Sequence, residues 1–131
     1  MSEELRPGRS GEASVEVTDA VTAERVGSGA VPVLATPEVV ALVERAAIAA
    51  LEGALDDGAT TVGSRVELDH LAPTPVGGRA VARARLDAVG GRTLTFSVEV
   101  RDGAGTVARA THVRVIVDQE RFLGSAKERT E

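Results

Sequence analysis

The chain has 131 residues, 43% of them hydrophobic and 27% charged, with a formal net charge of −5, which fits one compact domain and excludes a wholly disordered chain. With no cysteine, disulfides, thiolate metal sites and a cysteine nucleophile are excluded, and two histidines argue against a zinc enzyme. A pI near 5.1 without a basic cluster beside aromatics argues against a nucleic-acid surface.

Met1 to Glu12 is polar and carries glycine, so residues 1–12 read as a flexible tail ahead of a domain over residues 13–123. Ser14 to Val21 alternates Val15 and Val17 with Glu16 and Thr18, the period of a half-buried strand. Thr22 to Ala35, with Gly27, Gly29 and Pro32, is long enough to be either a functional lid or a poorly ordered connection. Pro37 to Leu55 is the one strong helix, with Thr36 as N-cap, Pro37 at the first helical position and Asp56-Asp57-Gly58 as its stop. Four strands follow, about Thr61 to Leu71, Arg79 to Val89, Arg92 to Arg101 and Thr106 to Phe122, and their intervening turns predict an antiparallel meander. Residues 124–131 read as a second flexible tail. The expected fold class is α+β: strand, helix, four strands, with an antiparallel sheet wrapped around one long central helix.

The strand faces agree with that architecture. Leu94, Phe96, Val98 and Val100 share one face, and Ala80, Ala82, Ala84, Leu86 and Ala88 share another. The second set is mostly small, so a helix can approach closely there. With only Phe96 and Phe122 aromatic, alanine and valine must fill the interior, and oligomerisation is a natural supplement to so light a core. The N-terminus lacks an apolar leader and no apolar run approaches the roughly 20 residues that cross a bilayer, so the expected location is cytoplasmic, away from membranes.

Two polar residues stand where apolar ones belong. On a helical wheel Glu44 falls among Val40, Ala47, Ile48 and Leu51, away from the polar stripe of Glu38, Arg45 and Glu52. His70 shares a strand face with Val66 and Leu68. A helix and the sheet beneath it share one interface, so the two periodicities place a carboxylate and an imidazole in the same layer. Such a pair is suited to acid–base chemistry, and equally to a structural ion pair. Thr36 is the third candidate: a helix N-terminus offers free N–H groups to an oxyanion or thioester carbonyl.

The order of elements, together with Ala35-Thr36-Pro37-Glu38, Val43-Glu44-Arg45-Ala46, Thr61-Val62-Gly63-Ser64 and Asp69-His70-Leu71-Ala72-Pro73-Thr74-Pro75-Val76-Gly77, resembles the fluoroacetyl-CoA thioesterase family of hotdog-fold proteins. The discriminating part is Thr-x7-Glu followed 26 residues later by His. The resemblance implies a catalytic Thr36, Glu44 and His70, with Gly63 as the glycine whose backbone assists the site and Arg114 near the pocket. It also implies hydrolysis of an acyl-CoA thioester with no cofactor other than the coenzyme A of the substrate, no metal, and a homodimer whose sheets join edge to edge, with a dimer of dimers as the larger option. The segment Ala30 to Ala35 lacks the phenylalanines of the fluoroacetyl-specific member, so a different short or medium acyl group is expected. The competing reading is a non-catalytic hotdog protein that binds an acyl thioester or small ligand; a hotdog hydratase ranks below it for want of an Asp-x4-His motif.

Three features are set aside. His112 lies in a stretch of ambiguous alternation and reads as structural. Arg79, Arg83 and Arg85 read as a solvated strand face rather than a phosphate site. Gly27-x-Gly29 lacks the context of a dinucleotide loop.

Overall fold

The alternation of apolar and polar residues builds a sheet with one dry face. In the computed structural model, which describes residues 4–130, that sheet has five antiparallel strands: β1 (Ser10–Glu16), β2 (Ala59–His70), β3 (Arg79–Gly90), β4 (Thr93–Asp102) and β5 (Gly105–Asp118). Their spatial order is β1-β3-β4-β5-β2. Among the described residues three α-helices accompany them, the short α1 (Ala23–Val26), the central α2 (Thr36–Ala50) and α3 (Gln119–Lys127), with a 3-10 turn at Asp19–Val21. Val39, Leu42, Val43, Ala46, Ala47 and Ala50 of α2 are buried against the inner face, where Ala80, Ala82, Ala84, Leu86, Leu94, Phe96, Val98 and Val100 are buried in turn. Small residues set the spacing: a Cβ on Gly11 of β1 would collide with the backbone of Ala49 and Ala50.

Several expectations need correction. β3, β4 and β5 do form a meander, but β2 pairs with β5 and not with β3. The Pro73 to Gly78 segment therefore belongs to a connection that crosses the sheet, and β2 is left as an edge strand. Residues Ser10 to Glu12, read as tail, pair with Arg83 to Arg85 of β3. Just ahead of them Arg9 donates to the carbonyls of Ala50 and Glu52, neutralising exposed acceptors at the end of α2, a contact between residues too distant in sequence to be read from spacing. The N-terminal tail expected at Met1 to Glu3, and the C-terminal one at Glu131, lie outside the described residues. β5 stops at Asp118, whose side chain accepts from the Arg121 N–H and opens α3, so Phe122 is helical and not part of a strand.

Two local details bear on the site. Thr36 is not the N-cap: Ala35 occupies that position without a side-chain cap, and the Thr36 hydroxyl is turned elsewhere. Helix α2 also ends earlier than Leu55, at Ala50 with Leu51 as its C-cap, and Gly53 in the following turn has the φ of 77° that glycine tolerates. The Thr22 to Ala35 segment is a packed connection, with α1 inside it, Leu34 and Ala35 buried, and bridges from Thr22 to Leu34 and from Val33 to Pro75.

Candidate active site

A register shift lies between Gly63 and Arg65 in β2. One extra residue at such a bulge reverses which face the following residues present. Thr61 and Gly63 before it, and Val66, Leu68 and His70 after it, consequently all face α2, although their numbers differ in parity.

Glu44 leaves the middle of α2 toward this strand. Its Oε2 accepts from Arg114 Nη1 at 3.3 Å, and a Cβ built on Gly63 would lie 2.5 Å from that same oxygen. Gly63 is thus the space into which the carboxylate fits. The Arg114 side chain is 5% exposed and that of Glu44 is 40% exposed. Burying a guanidinium is costly unless all its donors are used. Here Arg114 Nε donates to Thr61 Oγ1 at 2.8 Å and Nη2 to the Thr61 carbonyl at 3.0 Å, while Nη1 also approaches His112 Nε2 at 3.2 Å. Burial pulls Arg114 below the ordinary arginine value, and Glu44 opposes that shift. Arg114 was expected near the pocket; its contacts show a clamp on Glu44 and β2.

The other pair forms at the far end of β2. Thr36 Oγ1 lies 2.8 Å from His70 Nδ1, and His70 Nε2 is covered with no hydrogen-bond partner among the described residues. The expectation that Glu44 and His70 meet in one dry cleft fails within a single chain. Gly63 and His70 stand about 20 Å apart along the strand at its usual rise, and Thr36 and Glu44 about 12 Å apart along the helix. The chain therefore holds two half-sites, a carboxylate with its arginine and a hydroxyl with its imidazole. Sequence reasoning set His112 aside. The signal that places it here is the shared parity of Ala108, Ala110, His112, Arg114 and Ile116, all buried on the inner face of β5.

Apolar hollows flank both half-sites. One of about 270 Å³ is lined by Val33, Leu34, Leu71 and Pro73 beside Thr36 and His70. Another of about 260 Å³ is lined by Ile48, Leu51, Leu55, Thr60 and Thr61, one helical turn beyond Glu44. A larger one, about 1070 Å³, lies on the outer face of the sheet among Arg83, Arg85, Glu99 and Arg109. On that face Arg79 pairs with Glu16 and Arg83 with Glu12, consistent with a solvated surface. No group of three or more His, Cys, Asp or Glu among the described residues is placed to hold a metal.

Fold comparisons give the class. A hot-dog-like protein from Thermanaerovibrio acidaminovorans superposes with a TM-score of 0.86 at 23% identity, over 95% of this chain and 93% of that one. The fluoroacetyl-CoA thioesterase structure superposes with a TM-score of 0.91 at 27% identity, over 98% and 100%. The fold is the hotdog fold, and the likeness to the fluoroacetyl-CoA thioesterase makes the class a thioester hydrolase. More narrowly, the chain belongs to the fluoroacetyl-CoA-specific thioesterase family, whose sequence profile matches residues 17–120. A member from Streptantibioticus cattleyicolor, a fluoroacetyl-CoA thioesterase, is 32% identical over 98 residues, 75% of this chain and 70% of that protein.

Proposed function

We propose that this chain is an acyl-CoA thioesterase that hydrolyses a short or medium acyl-CoA to the carboxylate and free CoA, using Glu44 of one subunit with Thr36 and His70 of the other in a cytoplasmic homodimer. The supporting observation is the pair of separated half-sites along one edge strand. β2 is an edge, and an open edge invites a further strand. Antiparallel pairing of two β2 strands about a twofold axis sets residues of constant summed number opposite each other, on the same face. The register that puts Gly63 opposite the partner subunit's His70 brings Glu44 to the partner's Thr36 and His70, and does so twice.

In that site the Glu44 carboxylate either takes a proton from a water whose oxygen attacks the thioester carbonyl, or attacks it itself to give a mixed anhydride that water then hydrolyses to the product carboxylate and free Glu44. In both routes the C–S bond breaks, the His70–Thr36 pair supplies the proton to the departing thiolate, and Thr36 also hydrogen-bonds the acyl oxygen. The Gly63 backbone borders the reacting carbonyl. Water and the acyl-CoA are the reactants, and the reading calls for no cofactor beyond the CoA of the substrate. With no aromatic side chain between Ala30 and Ala35, the hollows beside both half-sites are open to acyl chains longer than acetyl.

Free thiol release from a panel of acyl-CoA esters tests the reading. Glu44→Gln and His70→Ala each lose about 10²- to 10⁴-fold in kcat/KM with the fold intact. Saturable acyl-CoA binding without turnover by the wild type contradicts it and makes Glu44–Arg114 a structural ion pair in a binding protein.

A further inference from the structure

One buried titratable group has no part in the reaction as drawn. His112 is fully buried on β5, opposite Val66 of β2 and Phe96 of β4. Its Nδ1 lies 2.8 Å from the Arg65 carbonyl, an acceptor only, so Nδ1 carries a proton and donates. Its Nε2 lies 3.2 Å from Arg114 Nη1, a donor only, so Nε2 must offer a lone pair. Both contacts are satisfied together only by the neutral ring in its Nδ1–H form. Arg114 Nη1 then has one bond toward His112 and one toward Glu44 Oε2, and Thr61 takes the rest of the guanidinium.

We propose that His112 is a positioning residue: as a neutral acceptor it fixes the rotation of Arg114, which in turn holds the Glu44 carboxylate against Gly63 in the attacking orientation. The proposal rests on the thioesterase reading. A proton on Nε2 would set two donors and two cations against each other, so acidification loosens the Arg114 clamp and frees Glu44. The charged groups facing His112 are Glu44 from α2 and Arg114 from β5; β2 presents the Arg65 carbonyl and β4 the ring of Phe96, with centroids 6.2 Å apart. Burial holds the ring below the ordinary histidine value; Arg114 adds to this, and the Arg65 carbonyl and Glu44 work against it. The site therefore stays set at neutral pH and is released in acid.

Two variants separate this role from packing. His112→Phe keeps a flat ring beside Phe96 but offers no acceptor, whereas His112→Gln reaches the position of Nε2 with a carbonyl that does not titrate. In acyl-CoA hydrolysis His112→Phe should lower kcat by roughly tenfold to a hundredfold with KM within about twofold, since small misplacement of a reacting group costs on that order. His112→Gln should recover most of the loss. The ratio of wild-type to His112→Gln kcat/KM should hold steady near neutrality and fall only in acid, on the low side of the ordinary histidine value. Ring-nitrogen NMR of the intact protein, which has two histidines, should find His112 as the Nδ1–H tautomer at neutral pH. Turnover by the wild type with unchanged kcat in His112→Phe, a flat ratio, or an Nε2–H or charged His112 at neutral pH would overturn the positioning role alone. Absence of turnover in every form, wild type included, would overturn the thioesterase reading and this role with it.

Discussion

Gly63→Ala tests the geometry of the carboxylate half-site with one methyl group. The backbone at Gly63 has no positive φ, so alanine brings no conformational strain, and only space decides the outcome. The added Cβ would lie 2.5 Å from Glu44 Oε2, and 3.3 Å from both Arg114 Nη1 and His112 Cε1. Ordinary contact begins near 3.4 Å, so the carboxylate must withdraw by about 0.9 Å, the difference of 3.4 and 2.5. Glu44 is half-exposed and ends a flexible side chain, so it can withdraw toward solvent at little cost to the fold. A displacement near 1 Å at a reacting group costs on the order of a hundredfold in rate. Thiol-release kinetics on an acyl-CoA ester should therefore fall about a hundredfold, while the thermal midpoint moves by only a few degrees. Wild-type kinetics in a folded Gly63→Ala protein would refute the assignment of this space to the attacking carboxylate.

Thr36→Val should lower kcat by tenfold or more by freeing His70 Nδ1, yet barely change the melting temperature, because Ala35 and not Thr36 caps α2. A loss of stability with kinetics intact would instead return Thr36 to a capping role. Asp102 accepts from Thr74 Oγ1 at 2.8 Å and from the Ala104 N–H at 2.8 Å, and these bonds, Thr74 first, lower its pKa from 3.8. A carboxylate with a depressed folded-state pKa stabilises the fold above its unfolded value and loses that contribution as the pH falls through the folded one. Asp102→Asn should accordingly be less stable than wild type near neutrality, with the gap closing in acid melts below about pH 4; a gap independent of pH would contradict this.

How much could be read beforehand follows from how local each signal was. The faces of β3 and β4 were legible because apolar and polar residues alternate there, and Leu94, Phe96, Val98 and Val100 are buried as expected. Ala88 is the exception: a register shift after Leu86 turns it outward, and a bulge leaves no mark in composition. The pairing of β2 with β5 was not legible, since turn residues say where a chain reverses and not which strand it meets next. His112 was set aside, and Arg114 was reached only through the family resemblance, because Val113, Val115 and Val117 make the opposite parity of β5 look equally apolar. Thr36, Glu44, Gly63 and His70 were visible as residues out of place or matched in spacing. Their division into two half-sites was not, because spacing along one chain cannot register an open strand edge.

The joining of those half-sites across two subunits is tested most directly by complementation. Glu44→Gln and His70→Ala proteins, each inactive, are mixed in equal amounts under conditions where subunit exchange is verified by native mass spectrometry. Half the dimers are then mixed, and in each the intact Glu44 of one subunit faces the intact His70 of the other at one of two sites, which predicts recovery of about a quarter of wild-type thioesterase activity. No recovery despite verified exchange would show that carboxylate and imidazole do not work together across subunits.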